Sequence, residues 1–219
     1  EAAPWQRAVV RSADAPVFGE GGLRLLRGSL APSGAIIKHS AATPALLQHA
    51  GRAVVFESVE DMMNRIDLPD LDVAAEDVLV LKNAGPKGGP GMPEAGYLPI
   101  PKKLAQQGVK DMVRISDARM SGTAFGTIVL HASPEAAEGG PLGLVQTGDR
   151  IVLDTRGGRI DLEVAAEELA RRRAAWRPAT TAERDRGYAW LWQSEVTQAD
   201  DGCDFDFLRA RPRRNRAPR

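Results

Sequence analysis

Asp77-Val-Leu-Val-Leu-Lys82, followed after two residues by Gly85-Pro-Lys-Gly-Gly-Pro-Gly-Met-Pro-Glu94, decides the fold. An apolar run of this length, bounded by glycine and proline, reads as a strand feeding a tight loop. The same order recurs further on. Asp111-Met-Val-Arg-Ile-Ser116 is a second such run, and it leads straight into Ser116-Asp-Ala-Arg-Met-Ser-Gly-Thr-Ala-Phe-Gly126. Each loop seats one reactive side chain, Glu94 in the first and Ser121 in the second, in backbone that few sequences form. Loops at strand ends are where sites are usually built.

Outward from these two units, strand candidates are short and numerous. Phe18 to Arg27, Gly34 to His39, Arg52 to Glu57 and Gly126 to His131 are apolar runs set off by turn residues. Gly148 to Asp154 and Arg159 to Val164 alternate apolar and polar residues around Thr155-Arg-Gly-Gly158, the pattern of a half-buried hairpin. Helices are fewer. Ser58 is placed to cap a helix over 59–66, Pro101 opens and Gly108 closes one over 101–107, Ser133 to Ala137 reads as one capped turn, and 165–176 is helical by composition until Pro178. Tyr188, Trp190 and Trp192 in the segment 182–208 read as packing residues. The pattern predicts a mainly β fold with peripheral helices (α+β), a barrel or sandwich, as one domain over 1–208.

Composition narrows the function classes. At 219 residues and 43% hydrophobic, the chain supports one core, and no apolar stretch approaches the length of a spanning helix, so no membrane role is expected. The start, Glu1-Ala-Ala-Pro-Trp5, reads as neither a leader nor an initiator, so the chain reads as a piece of something longer. The lone cysteine, Cys203, excludes an internal disulfide and a self-contained cluster or zinc site, and suits a reducing cytoplasm. Charge balances at 29 basic and 29 acidic residues, but six arginines fall in 209–219, which hold no acid. That tail is expected to be disordered rather than a nucleic-acid element, because it carries no aromatic residues for base stacking.

The two loops suggest chemistry of different kinds. Glu94 supplies a hard oxygen suited to Mg²⁺, which takes one or two protein carboxylates and fills its octahedron with substrate and water. One carboxylate is a poor site alone, and the same segment also reads as a crowded turn. It lacks the Gly-Lys-Ser/Thr ending of a phosphate loop. Ser121 stands beside Gly122 and Thr123, whose backbone N–H groups could meet an anionic substrate. A bare serine is a feeble base until a metal ion lowers its pKa and makes the alkoxide accessible. A serine hydrolase would need a histidine and an acid on Ser121, and His131 and Asp117 exist, but Met120-Ser121-Gly122 is not the Gly-x-Ser-x-Gly elbow. His39, His49 and His131 show no ligand spacing and read as structural or surface residues.

Taken in order, Gly85 to Glu94, Ser116-Asp-Ala-Arg-Met-Ser-Gly122 and His131 to Pro141 resemble the C-terminal domain of the dihydroxy-acid and sugar-acid dehydratases. Gly28 to Lys38 and Gly51 to Phe56 extend the resemblance over roughly residues 20 to 208. It implies a swivelling β-barrel-like domain and a hydro-lyase that removes water from a 2,3-dihydroxy carboxylate to give a 2-keto acid, with an iron–sulfur cluster and Mg²⁺ where two domains meet. It implies Glu94 as the Mg²⁺ ligand from this domain and Ser121 as the alkoxide base that takes the C2 proton. Gly122 and Thr123 are placed by the substrate carboxylate. The cluster cysteines and the other Mg²⁺ ligands belong to an N-terminal domain that this chain lacks, so the chain alone is expected to be inactive. A homo-oligomer is implied for the full enzyme.

Within that family, Arg119-Met-Ser-Gly-Thr-Ala-Phe-Gly-Thr127 and Gly202-Cys-Asp-Phe-Asp-Phe-Leu208 are similar to the aldonate branch, such as the pentonate dehydratases. That makes the expected substrate a sugar acid and the product a 2-keto-3-deoxy acid. The alternatives are a dihydroxy-acid dehydratase of branched-chain amino-acid biosynthesis, and a non-catalytic binding or regulatory module derived from this domain. Cys203 is then no cluster ligand but a buried residue.

Overall fold

The computed structural model describes residues 3–17, 19, 21–92, 94, 98–122, 125–178 and 186–209. Its strands are β1 (Arg24–Leu26), β2 (Gly34–Ile37), β3 (Gln48–Phe56), β4 (Val78–Leu81), β5 (Arg114–Ser116), β6 (Ile128–Ser133), β7 (Arg150–Asp154) and β8 (Arg159–Glu163). They form one sheet in the order β1-β2-β6-β5-β4-β3-β7-β8. The helices are α1 (Pro4–Val9), α2 (Val59–Arg65), α3 (Lys102–Gln106), α4 (Pro141–Leu144), α5 (Ala166–Ala175) and α6 (Gly187–Glu195). Among the described residues, no helix is long and apolar enough to cross a membrane.

The middle of the sheet is parallel and its flanks are antiparallel. Val78 to Leu81 pair in parallel with Ala53 to Phe56 on one side, and Leu79 to Leu81 pair with Arg114 to Ser116 on the other. β5 pairs in parallel with β6. Parallel strands must be covered on both faces, and the burial obeys that demand. Ala53, Val55, Val78, Val80, Val113, Ile115 and Val129 fill the interior with residues of the two hairpins. The intervening Val54, Phe56, Leu79, Leu81, Ile128 and Leu130 face outward and pack under Met62 and Ile66 at α2 and Leu104 of α3. This is why β4 carries apolar residues without alternation.

The ends of the sheet curl toward each other. Arg27 N–H donates to Gly158 O at 2.9 Å and Ile160 N–H to Arg27 O at 3.0 Å, so the chain just past β1 bridges to β8 and the sheet is nearly closed into a barrel. Gly28 is required at this seam, because a Cβ there would stand 2.1 Å from Ile160 O. The expected mainly β, barrel-like fold with few peripheral helices is what the structure has.

Local expectations held where a physical signal was strong. Ser58 caps α2, its Oγ accepting from Asp61 N–H at 3.1 Å, and Gly108 takes φ +90° just past α3. In β7 and β8, Ile151, Leu153, Ile160 and Leu162 are buried on alternate positions. Three readings need correction. The first strand is only Arg24–Leu26, with Phe18 and Glu20 outside the described residues. β3 begins at Gln48, four residues early, because its first half pairs antiparallel with β7 before its second half turns to β4. The turn after Pro134 is a 3₁₀ turn at Ala136–Glu138 without a side-chain cap, since Ser133 ends β6 and its hydroxyl bonds Asp200.

Closure at Gly28 leads to a prediction. Gly28→Ala should destabilise the domain by about 2 kcal/mol, through a forced backbone shift at the seam, and lower Tm by about 4 to 8 °C. An unchanged Tm in calorimetry would show that the seam does not hold the barrel together.

Candidate functional site

Both loops leave the same edge of the sheet, one from the C-terminal end of β4 and the other from that of the adjacent parallel strand β5. In open parallel sheets, crevices beyond the strands' carboxyl ends are where ligands bind. Arg119, two residues before Ser121, spans from the second loop to the first. Its Nε donates to Met92 O at 2.7 Å and its Nη1 pairs with Glu94 Oε1 at 3.1 Å. The Glu94 loop and the Ser121 loop therefore meet at one rim. Glu94 and Arg119 are each about half exposed there, at 51% and 46%.

The first loop is held from below by two buried carboxylates. Asp117 is fully buried, and its two oxygens accept from the N–H groups of Ala84 and Ala136, each at 2.9 Å. Glu135 is 1% exposed and accepts from Lys87 N–H, Gly88 N–H and Gln198 Nε2. Gly85 lies against this pair, and a Cβ on it would come within 2.8 Å of Glu135 Oε2. That contact explains a glycine at this position. Burial pushes the Asp117 carboxyl up to about 6, and it raises Glu135 as well. From the other side, Trp192 of α6 donates its indole N–H to Pro86 O at 2.6 Å, and the half-buried Cys203 places Sγ 3.7 Å from Met92 Sδ.

The second loop is held by His131, Lys38 and Arg114. His131 Nε2 accepts from Met120 N–H at 2.9 Å, which places the ring proton on Nδ1. Burial, and then the charge of Arg119, depress its basicity. His131 itself sits at φ +56°, and its N–H donates to Ala118 O. Lys38 Nζ donates to Gly122 O at 2.8 Å. Arg114, 3% exposed, donates to Leu98 O beyond the first loop and to Phe125 O at the end of the second, and it pairs with Asp111 at 2.7 Å. One buried guanidinium thus ties the far ends of both loops together, and its hydrogen bonds offset the cost of burying the charge.

Of the residues expected at the site, Ser121 is half-buried within the second loop, Gly122 is exposed, and Glu94 stands at the rim. Thr123 lies outside the described residues, as does the tail from residue 210. The hydrolase constellation is not assembled, because both Asp117 oxygens accept backbone N–H groups and His131 Nε2 is taken by Met120. Tyr188, Trp192, Phe205 and Phe207 form one aromatic cluster, with Phe205 and Phe207 stacked and the other rings edge-on or tilted, as a packing role predicts, but Tyr188 and Trp190 stay exposed. The sequence reading passes over Arg119, Lys38, Arg114 and Glu135 as site residues, whereas His131 has the structural role that reading gives it. A polar residue inside an apolar run, as Arg114 is, was the signal available.

Glu94 is a hard oxygen donor whose position already attracts a cation, the Arg119 guanidinium, and it fits as one ligand of Mg²⁺. Among the described residues, no group of three or more His, Cys, Asp or Glu could hold a metal ion, so a metal on Glu94 would need further ligands from outside them. Cys203 alone does not fit an iron–sulfur cluster.

Comparison with known proteins covers most of the chain. The model of the dihydroxy-acid/6-phosphogluconate dehydratase C-terminal family matches residues 8–203. The chain is 55% identical to a 6-deoxy-6-sulfo-D-gluconate dehydratase of Pseudomonas putida over 92% of its own length. It is 52% identical to an L-arabonate dehydratase of Azospirillum brasilense over 95%. With a dihydroxy-acid dehydratase of Methanoregula boonei, identity is 47% over 78% of the chain. The chain spans 35% and 36% of the length of the first two relatives and 30% of the third.

A pH dependence follows from Asp117. Its proton is held more tightly in the folded chain than in the unfolded one, so its contribution to stability is full below about pH 4 and is lost as pH rises through about 6. The stability deficit of Asp117→Asn relative to the parent should shrink by about 2 to 3 kcal/mol between pH 4 and pH 7. Urea unfolding at the two pH values measures it, and a constant or growing deficit would contradict the assignment.

Proposed function

The chain belongs to the C-terminal family of the dihydroxy-acid and 6-phosphogluconate dehydratases, and from that premise we propose that it is the C-terminal domain of a sugar-acid dehydratase converting an aldonate to a 2-keto-3-deoxy acid. The observation that carries the reading is the Arg119 bridge, which brings the loops of Glu94 and Ser121 to one rim. The higher identity to relatives named for sugar acids than to one named dihydroxy-acid dehydratase favours a sugar acid.

In this reading an N-terminal domain supplies the cluster cysteines and the other Mg²⁺ ligands, and Glu94 joins them. When bound, the cluster and Mg²⁺ supply Lewis acidity toward the substrate hydroxyls. This chain supplies the base and its positioning. The Ser121 oxygen, as alkoxide, takes the C2 proton. The electron pair left on C2 forms the C2–C3 double bond, and the hydroxide leaving C3 takes up the proton that Ser121 removed, departing as water and restoring the alkoxide. The enol then tautomerises to the 2-keto acid. His131, by accepting from Met120 N–H, fixes the backbone beside the base, and Lys38 fixes it on the other side through Gly122 O. Chemistry of this kind demands that the base be held rather than free to rotate away.

The test is to combine the chain with an N-terminal dehydratase domain, or to use the complete enzyme, and to assay 2-keto acid formation from pentonates. Activity should require the second domain, and Ser121→Ala should lower kcat by about 10² to 10⁴ with little change in KM. Turnover that survives Ser121→Ala would sink the assignment. Association of the two chains with no turnover would favour a binding module instead.

A further inference from the structure

Arg119 is more than a strut between the loops. Its pair with Glu94 is half exposed on both sides, and pairs of that kind are weak. A divalent cation on the same carboxylate carries twice the charge at about 2.1 Å, so its Coulomb attraction is roughly three times that of a guanidinium at 3.1 Å. A cation arriving at Glu94 therefore displaces Nη1. The rest of the side chain need not move far, because Nε is anchored separately on Met92 O at 2.7 Å.

The released guanidinium stands two residues from Ser121. On the other side of Ser121, Lys38 Nζ lies 2.8 Å from Gly122 O, and His131 turns its Nε2 lone pair to Met120 N–H. In the chain, Ser121 thus stands between Arg119 and the Gly122 carbonyl that Lys38 holds. The proposed reaction takes a proton from C2, the carbon that bears the carboxylate, so whatever binds the carboxylate must lie beside the base. A guanidinium suits this because its N–H groups match both oxygens of a carboxylate.

We propose that Arg119 holds Glu94 until a divalent cation displaces it, and that its freed guanidinium then binds the carboxylate of the sugar acid beside Ser121. The proposal rests on the reading of Glu94 as a metal ligand, and it makes Arg119 both a placeholder for the cation and a substrate-binding residue.

The test uses the complete dehydratase with Mn²⁺ as probe. Binding is read by electron paramagnetic resonance without substrate, and KM is measured separately with a pentonate. Arg119→Met should tighten Mn²⁺ about two- to fivefold, since the competitor for Glu94 is gone. The same variant should raise KM about tenfold or more, since a charged hydrogen bond to substrate is lost. A purely structural strut would move these two readouts in the same unfavourable direction, and Mn²⁺ binding that is unchanged or weaker overturns the exchange, as does an unchanged KM. If Arg119→Met fails to fold, Arg119→Lys carries the test, because one ammonium cannot hold Met92 O and Glu94 as the guanidinium does, and Mn²⁺ should again tighten. Glu94→Gln separates the two levels. If it weakens Mn²⁺ while Arg119→Met has no effect, the exchange alone is wrong. If it leaves Mn²⁺ untouched, the metal reading is wrong and the exchange falls with it.

Discussion

The parallel pairing of β4 with β5 is the constraint on which the rest depends. With Leu79 opposite Arg114 and Leu81 opposite Ser116, the two strands must end side by side and release their loops on the same edge. Parallel pairing also forces both faces of these strands to be covered. The barrel interior covers one face and the short helices α2 and α3 cover the other. The two loops are thereby brought to one end of the sheet by hydrogen bonding between backbones, and Arg119 bridges them to Met92 and Glu94.

Holding such loops still is costly, since fixing each residue's backbone carries an entropy penalty of about 1 to 2 kcal/mol. The structure meets it with buried polar contacts rather than with apolar packing alone. Asp117 and Glu135 accept backbone N–H groups of the first loop. Arg114 donates to a backbone carbonyl beyond the first loop and to one at the end of the second. Among the described residues, no buried side-chain nitrogen or oxygen lacks a hydrogen-bond partner. A network satisfied in this way specifies one loop conformation, because any other would leave charges buried without partners.

Much of this could be read from the sequence, for identifiable reasons. Val78 to Leu81 and Arg150 to Asp154 announced themselves because burial on two faces and burial on one leave different patterns of apolar residues. Ser58 and Gly108 marked helix ends because each supplies a local chemical need. The glycines of 85–91 pointed to crowded backbone, and Gly85 does lie against Glu135 and Asp117. What escaped reading was the set of long-range polar partners. Glu135 to Gly88, His131 to Met120 and Lys38 to Gly122 span 47, 11 and 84 positions, and no periodicity encodes such pairs. The early start of β3 was hidden for the same reason, since its partner β7 lies about a hundred residues away. Glu94 stood out by its loop, whereas Arg119, equally part of the quoted motif, gained its meaning only from what it touches.

The central claim is that the rim joined by Arg119 is one site, at which a cation on Glu94 lies close to Ser121. Crystals of the complete protein grown with Mn²⁺ would test this most directly, because the anomalous signal locates the ion without assumption. The account predicts a peak on the Glu94 carboxylate, with Ser121 Oγ facing the same cavity. A peak elsewhere, with Glu94 still paired to Arg119 and Ser121 turned away from the ion, would contradict it.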